Sequence, residues 1–154
     1  MSVRIRPATR DDVATLARFN QAMAQESEGK PLDTATVRAG LSALFDRPSE
    51  GQYVVAVDAH GAPVGALLLT YEWSDWRNGR FWWIQSVYVV PQARRRGVYR
   101  ALHRHVRDAA RSDPQVCGLR LYVERDNVTA QSTYRALGMT ETPYRLYEEE
   151  FDRT

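Results

Sequence analysis

The segment from Val87 to Arg111, VYVVPQARRRGVYRALHRHVRDAAR, constrains the chain most, because it joins a strand to a helix through a turn crowded with arginine. Val87 and Val89 alternate with Tyr88 and Val90, as in a buried strand. Pro91 lacks a ladder donor and ends it. Arg94, Arg95 and Arg96 then crowd Gly97, a residue able to take backbone conformations denied to others. Beyond it, Val98, Ala101, Leu102, His105, Val106 and Ala109 recur at helical spacing. The first turn of such a helix has N–H groups without intrahelical acceptors at the positive end of its dipole, so it attracts phosphate. Neither G-x-x-x-x-G-K-[ST] nor an early G-x-G-x-x-G is present, so any phosphate is held by a different device. The same strand, turn and basic helix also occur without a ligand, and alone they leave both readings open.

A second segment, LRLYVERDNVTAQSTYRALGM, runs from Leu119 to Met139. Leu119, Leu121 and Val123 alternate with Arg120, Tyr122 and Glu124, which predicts a half-buried strand. Asp126 and Asn127 suit a helix N-cap, Ala130, Tyr134 and Leu137 mark one helical face, and Gly138 suits a left-handed close. On this pattern alone Tyr134 is a core tyrosine.

The remaining elements read more simply. Val3 to Arg6 is a short strand, and Thr9 with Asp12 resembles a capping box with Asp in place of Glu or Gln. A helix with Val13, Leu16, Ala17, Asn20 and Met23 follows. Asp33 caps a second, with Val37, Leu41, Leu44 and Phe45 inward. Tyr53 to Val57 and Val64 to Tyr71 form a hairpin around Asp58–Gly61. A loop through Trp76–Gly79 leads to a long strand, Phe81 to Val90, and Tyr144 to Phe151 is expected as a last strand. The order βααβββαβαβ(β) is mixed α/β (α+β), with helices on both faces of a mostly antiparallel sheet.

At 154 residues and 17.6 kDa the chain suits one domain, residues 1–154, with a core that needs no staples. A hydrophobic fraction of 44% argues against disorder, and a net charge of +2 demands no nucleic-acid partner. One cysteine, Cys117, excludes an internal disulfide framework; it reads as a small core residue. No long apolar run and no signal-peptide core is visible, so a cytoplasmic protein without a membrane partner is expected. His60, His103 and His105 stand apart, with no carboxylate or cysteine at ligand spacing, so no metal is expected.

Taken together, the two segments resemble the Gcn5-related N-acetyltransferases, the GNAT superfamily. The family's [Q/R]-x-x-G-x-[G/A] signature after a V-x-P strand end is matched by Arg94 to Tyr99 except at the last place. Its N-x-x-A-x-x-x-Y-x-x-x-G-[F/M] pattern is met by Asn127, Ala130, Tyr134, Gly138 and Met139. Either motif alone is weak, and the ordered pair is specific. The motifs span Val87 to Met139, about a third of the chain.

The resemblance implies an N-acetyltransferase that moves an acetyl group from acetyl-CoA to an amine of a small molecule or peptide. It implies that backbone groups of Val87, Tyr88 and Val89 hold the pantetheine arm and face the oxyanion. Arg94, Arg95, Arg96, Gly97, Val98, Tyr99 and Arg100 would receive the pyrophosphate, and Asn127 would make a polar contact to the cofactor. Tyr134 would be the catalytic general acid for the coenzyme A sulfur.

The chain departs from the family pattern at two places. Tyr99 stands where Gly or Ala is preferred, so its ring must turn away or pack along the cofactor. Gln85 stands where many relatives carry a glutamate base, and an amide cannot take a proton at neutral pH. Either another carboxylate serves (Glu26, Glu28, Glu72 and Asp75 lie in plausible loops) or the amine arrives unprotonated. Gln85 also keeps open an acyl-CoA-binding sensor without turnover. Arg100, Arg104, Arg107 and Arg111 form a stripe that reads as a solvated face rather than a nucleic-acid footprint. Trp73 and Trp76, read as loop residues, suit an acceptor pocket or a homodimer contact.

Overall fold

Among the described residues, five strands lie in chain order across one sheet, joined by two short hairpins, a two-helix connection and one crossover. In the computed structural model, which describes residues 1–153, these are β1 (Arg4–Pro7), β2 (Gly51–Val57), β3 (Pro63–Ser74), β4 (Gly79–Val89) and β5 (Val116–Arg120). The first four pair antiparallel, and β5 runs parallel to β4. A parallel neighbour needs a crossover, and the helix α3 (Val98–Ser112) provides it. The helices α1 (Val13–Glu28) and α2 (Thr34–Phe45) join β1 to β2. The expected mixed α/β class with a mostly antiparallel sheet is therefore present.

The alternation of β2 sorts two cores, one on each face of the sheet. Val54 and Ala56 join Leu67, Ile84, Val98, Leu102 and Val106 on the side that α3 covers. Tyr53, Val55 and Val57 join Leu16, Phe19, Leu41 and Tyr88 on the side that α1 and α2 cover. The buried side of α3 is Val98, Leu102, His103, Val106 and Ala110. His105 and Ala109, expected inward, are exposed, because the buried face, which takes in His103 and Ala110, is centred near Val106 and leaves them at its margin.

The Thr9–Asp12 capping box forms, with the Thr9 N–H donating to Asp12 at 2.7 Å, and it opens a single 3-10 turn ahead of α1. Asp12 is buried and also accepts two bonds from the Arg6 guanidinium, at 2.8 and 2.9 Å. That pairing holds its carboxyl below the usual range. Asp33 caps α2 by accepting from the Thr36 N–H at 2.9 Å. Among the described residues, no helix is long and apolar enough to cross a membrane.

By its contacts the chain divides into two compact units, Met1–Tyr122 and Val123–Thr154. The second contains α4 (Val128–Ala136), which Asn127 caps by accepting from the Ala130 N–H at 3.1 Å. Gly138 closes it at a φ of 94°, and the Met139 N–H returns to the Tyr134 carbonyl at 3.0 Å.

Four expectations need correction. Tyr144 to Phe151 forms no strand: Glu148, Glu149 and Glu150 repel one another and favour strands poorly, and the four large apolar side chains there are exposed. The strand expected at Leu119–Val123 lies earlier, at Val116–Arg120, because its register to β4 runs from Arg80↔Val116 to Trp83↔Arg120. Cys117 thus falls within an edge strand and is exposed rather than in the core, and Trp73 lies in β3 opposite Arg80 rather than in a loop.

Candidate active site

The turn between β4 and α3 is built around two left-handed residues. Arg95 has a φ of 62° and Gly97 a φ of 82°. For a non-glycine residue such as Arg95 this conformation costs roughly 1–2 kcal/mol, and it turns successive N–H groups into a concave, anion-attracting surface. The first bond of α3 runs from the Ala101 N–H to the Gly97 carbonyl at 3.0 Å, so the amides ahead of Ala101 lie outside the helical ladder. A Cβ on Gly97 would meet nothing within 4 Å, so space stays open over the turn. Arg94, Arg95, Arg96 and Arg100 are exposed around it, whereas Val98 is buried beneath it.

The start of α3 is pressed close to the sheet. A Cβ on Gly65 of β3 would stand 3.0 Å from Val98 Cγ1 and 3.1 Å from the Tyr88 carbonyl oxygen, so any larger residue would make these neighbours give by a few tenths of an ångström. The ring of Tyr99 turns toward the helix. It packs against buried His103 with centroids 5.7 Å apart, and its hydroxyl shares a 3.2 Å hydrogen bond with His103 Nδ1. Burial, with Arg107 nearby, pushes the His103 pKa down.

β4 leads into this turn with one open edge. Its pairing to β5 stops at Trp83↔Arg120, yet β4 continues to Val89. A bulge interrupts the pairing to β3 between Ala66 and Leu68, and within it Ser86 adopts a φ of 50°. Among the described residues, backbone from Ile84 to Val89 thus has no ladder to β5 and can accept an extended ligand as if it were a strand. Gln85, just before the bulge, donates from Nε2 to Thr70 Oγ1 at 2.5 Å.

Two carboxylates near β4 are already engaged. Glu26 of α1 accepts from the Arg94 guanidinium at 2.8 and 3.2 Å, and this keeps its carboxyl below the ordinary range. Arg94 also donates from Nε to the Val89 carbonyl at 2.9 Å and lies 5.4 Å from the Tyr88 ring centre. Burial, with Glu26 alongside, raises the Tyr88 phenol. Glu72 accepts from the Trp83 indole N–H at 3.0 Å and from Arg120 at 2.8 Å, and both lower its pKa, the indole bond first.

In the second unit, Asn127 and Tyr134 lie two helical turns apart. The acceptor oxygen of Asn127 is committed to capping α4. Tyr134 is half-buried, and desolvation raises its phenol pKa, so it stays protonated at neutral pH.

The sequence places Val87, Tyr88, Val89 and the turn from Arg94 to Arg100 as one continuous run of backbone, and the structure keeps them so. Sequence reasoning missed Ser86, which reads as an ordinary strand residue. It missed Gly65 too, although a glycine inside an apolar strand is itself a sign of close approach. The Glu26–Arg94 pair spans distant segments and has no local signal.

A bulged strand with an open edge runs into a basic turn and a helix N-terminus, a geometry that can accept an extended ligand ending in phosphates. The model of the acetyltransferase (GNAT) family matches residues 17–139, and the chain belongs to that family. A possible acetyltransferase from Clostridium difficile 630 is 41% identical, over 99% of this chain and 100% of that one, with a TM-score of 0.91. A predicted acetyltransferase from Clostridium acetobutylicum, solved with acetyl-CoA, shares the fold at 13% identity, over 96% of each chain, with a TM-score of 0.77. Glucosamine-6-phosphate N-acetyltransferase from Arabidopsis thaliana shares it at 16% identity, over 99% of this chain and 100% of that one, with a TM-score of 0.73. The sequence matches none of the curated proteins.

Proposed function

We propose that this GNAT-family acetyltransferase is an N-acetyltransferase that moves the acetyl group of acetyl-CoA to a primary amine of a small molecule or peptide by direct attack. The observation that carries the reading is the open β4 edge leading into the amides of the Arg94–Gly97 turn. The pantetheine arm pairs with Val87, Tyr88 and Val89, and the pyrophosphate meets the turn and the first amides of α3, with Arg95 and Arg96 adding charge. Arg94 joins them only by sharing its guanidinium with Glu26. Asn127 retains its amide N–H donors for the cofactor.

The amine nitrogen attacks the thioester carbonyl, and a β4 backbone N–H meets the negative charge that develops on oxygen. The carbon–sulfur bond then breaks, and the departing sulfur takes the Tyr134 phenol proton. The proton lost by the amine goes to solvent. Gln85 cannot accept it, and Glu26 and Glu72, both held below their usual range, are weak bases. The acceptor therefore reacts as the neutral amine, and the rate rises with pH through the amine's own pKa.

Release of free thiol from acetyl-CoA across a panel of amines tests the activity. Tyr134→Phe keeps the ring and removes the proton, so kcat should fall by roughly 10²–10⁴-fold while the acetyl-CoA Kd barely moves. Unchanged turnover in Tyr134→Phe would remove the acid role. Tight acetyl-CoA binding without turnover on any amine would identify a sensor instead.

A further inference from the structure

One ion pair ties the open edge of β4 to α1. Glu26, in the last turn of α1, accepts twice from Arg94 Nη2, at 2.8 and 3.2 Å, while Arg94 Nε donates to the Val89 carbonyl at 2.9 Å. The Val90 N–H donates to the Val64 carbonyl on the β3 side, so by the alternation of a strand the Val89 carbonyl points to the opposite, open side. Arg94 thus lies across an acceptor of the same edge that would hold the pantetheine arm. The Glu26 and Arg94 side chains are 42% and 43% exposed, and the Tyr88 phenol faces the same carboxylate. All four residues belong to Met1–Tyr122.

Arg94 cannot serve both partners in full. A pyrophosphate in the turn carries more negative charge than a carboxylate and accepts from the same guanidinium, and a pantetheine arm paired with Val89 takes that carbonyl from Nε. Whatever hold the cofactor gains on Arg94 is lost by Glu26. A half-exposed carboxylate is then left without its cation, beside Tyr88 and so beside the strand that flanks the thioester.

The acceptor's own chemistry points the same way. Gln85 cannot take the amine's proton, so the amine must arrive neutral. An acceptor with a second positive group loses its first proton more readily, because like charges in one molecule disfavour double protonation. Such a molecule brings the neutral amine and the replacement cation together.

We propose that Glu26 determines acceptor specificity by receiving a second ammonium or guanidinium group of the substrate once the cofactor has drawn Arg94 away. The acceptor is thus diamine-like, with one amine that reacts and one charged group that is held. This rests on the cofactor reading of the β4 edge given above. Cofactor and acceptor each take one half of the same ion pair, so each strengthens the binding of the other.

Calorimetry with coenzyme A, which has no acetyl group to give, tests the coupling without turnover. Saturating diaminobutane should tighten coenzyme A binding by about twofold to fivefold, the range for an exposed ion pair, and butylamine should not. Glu26→Gln should itself bind coenzyme A about twofold to fivefold more tightly than wild type and should lose the response to diaminobutane. In an Arg94→Gln background the effect of Glu26→Gln should vanish. In turnover at saturating acetyl-CoA, kcat/KM should favour diaminobutane over butylamine, and Glu26→Gln should reduce that preference. A wild type without the diaminobutane response, a response kept in Glu26→Gln, or weaker coenzyme A binding by Glu26→Gln overturns the proposal. If wild type binds no coenzyme A, the cofactor reading falls and takes this inference with it. If coenzyme A binds but no amine releases thiol, the transferase reading falls, and calorimetry alone decides the role of Glu26.

Discussion

Gly65→Ala adds one methyl group at the point where α3 presses on the sheet. The new carbon would stand 3.0 Å from Val98 Cγ1, 3.1 Å from the Tyr88 carbonyl oxygen and 3.4 Å from Val89 Cγ2. The carbonyl belongs to a paired strand, and Val98 is 2% exposed, so neither neighbour has room to retreat. Gly65 is not in the left-handed region, so the penalty is one of packing rather than torsion. Overpacking of this kind costs about 1–3 kcal/mol, and alanine recovers about 0.4–1 kcal/mol by narrowing the unfolded ensemble. With a mid-range recovery of about 0.7 kcal/mol, the net loss of roughly 0.3–2.3 kcal/mol should lower Tm by about 1–9 °C in a domain of this size. Because Val98 opens α3, the same shift displaces the phosphate turn, so acetyl-CoA binding by calorimetry should weaken as well. Gly40→Ala is the control. It lies exposed in α2 with nothing within 4 Å of its added carbon, and should be neutral or stabilising. Equal Tm and equal acetyl-CoA affinity for Gly65→Ala and wild type would refute the close-approach argument.

Two further perturbations probe the body of the fold and its turn. Asp12→Ala leaves the half-buried Arg6 guanidinium and the Thr9 N–H without their acceptor and should cost about 1–3 kcal/mol, read as a lower denaturant midpoint. Because the folded pKa of Asp12 is depressed, wild type should hold this stabilisation above the unfolded value near 3.9. It should lose it as pH falls through the folded value, a slope that Asp12→Ala should lack. Gly97→Val forces a β-branched residue into a φ of 82° over the open space above the turn, and should weaken acetyl-CoA binding by about tenfold or more. Equal binding by calorimetry would remove the turn from the cofactor site.

Much of this architecture was legible because it is local. Capping by Thr9 with Asp12, by Asp33 and by Asn127, and closure at Gly138, each depend on residues within one turn of one another. The strand–turn–helix run from Val87 to Arg111 was legible for the same reason. What escaped depends on pairing between distant segments. The register of β5 is set by β4, not by its own alternation, so the pattern Leu119–Val123 misled by several residues. The Ser86 bulge exists only relative to β3, and the Glu26–Arg94 pair only once α1 crosses the sheet. Tyr144 to Phe151 shows the converse, where apolar spacing suited to a strand accompanies a run of glutamates and no ladder.

A sheet whose spatial order repeats its chain order also sets an order of assembly. β2, β3 and β4 meet through tight turns, so their closure costs little loop entropy and can come first. β1 must wait for α1 and α2 to fold between it and β2, and β5 must wait for α3. Both late strands are therefore the outermost, where amide protons exchange through local opening sooner than in the central hairpins. The open edge of β4 that can receive a ligand thus borders the strand that is last to close and first to loosen.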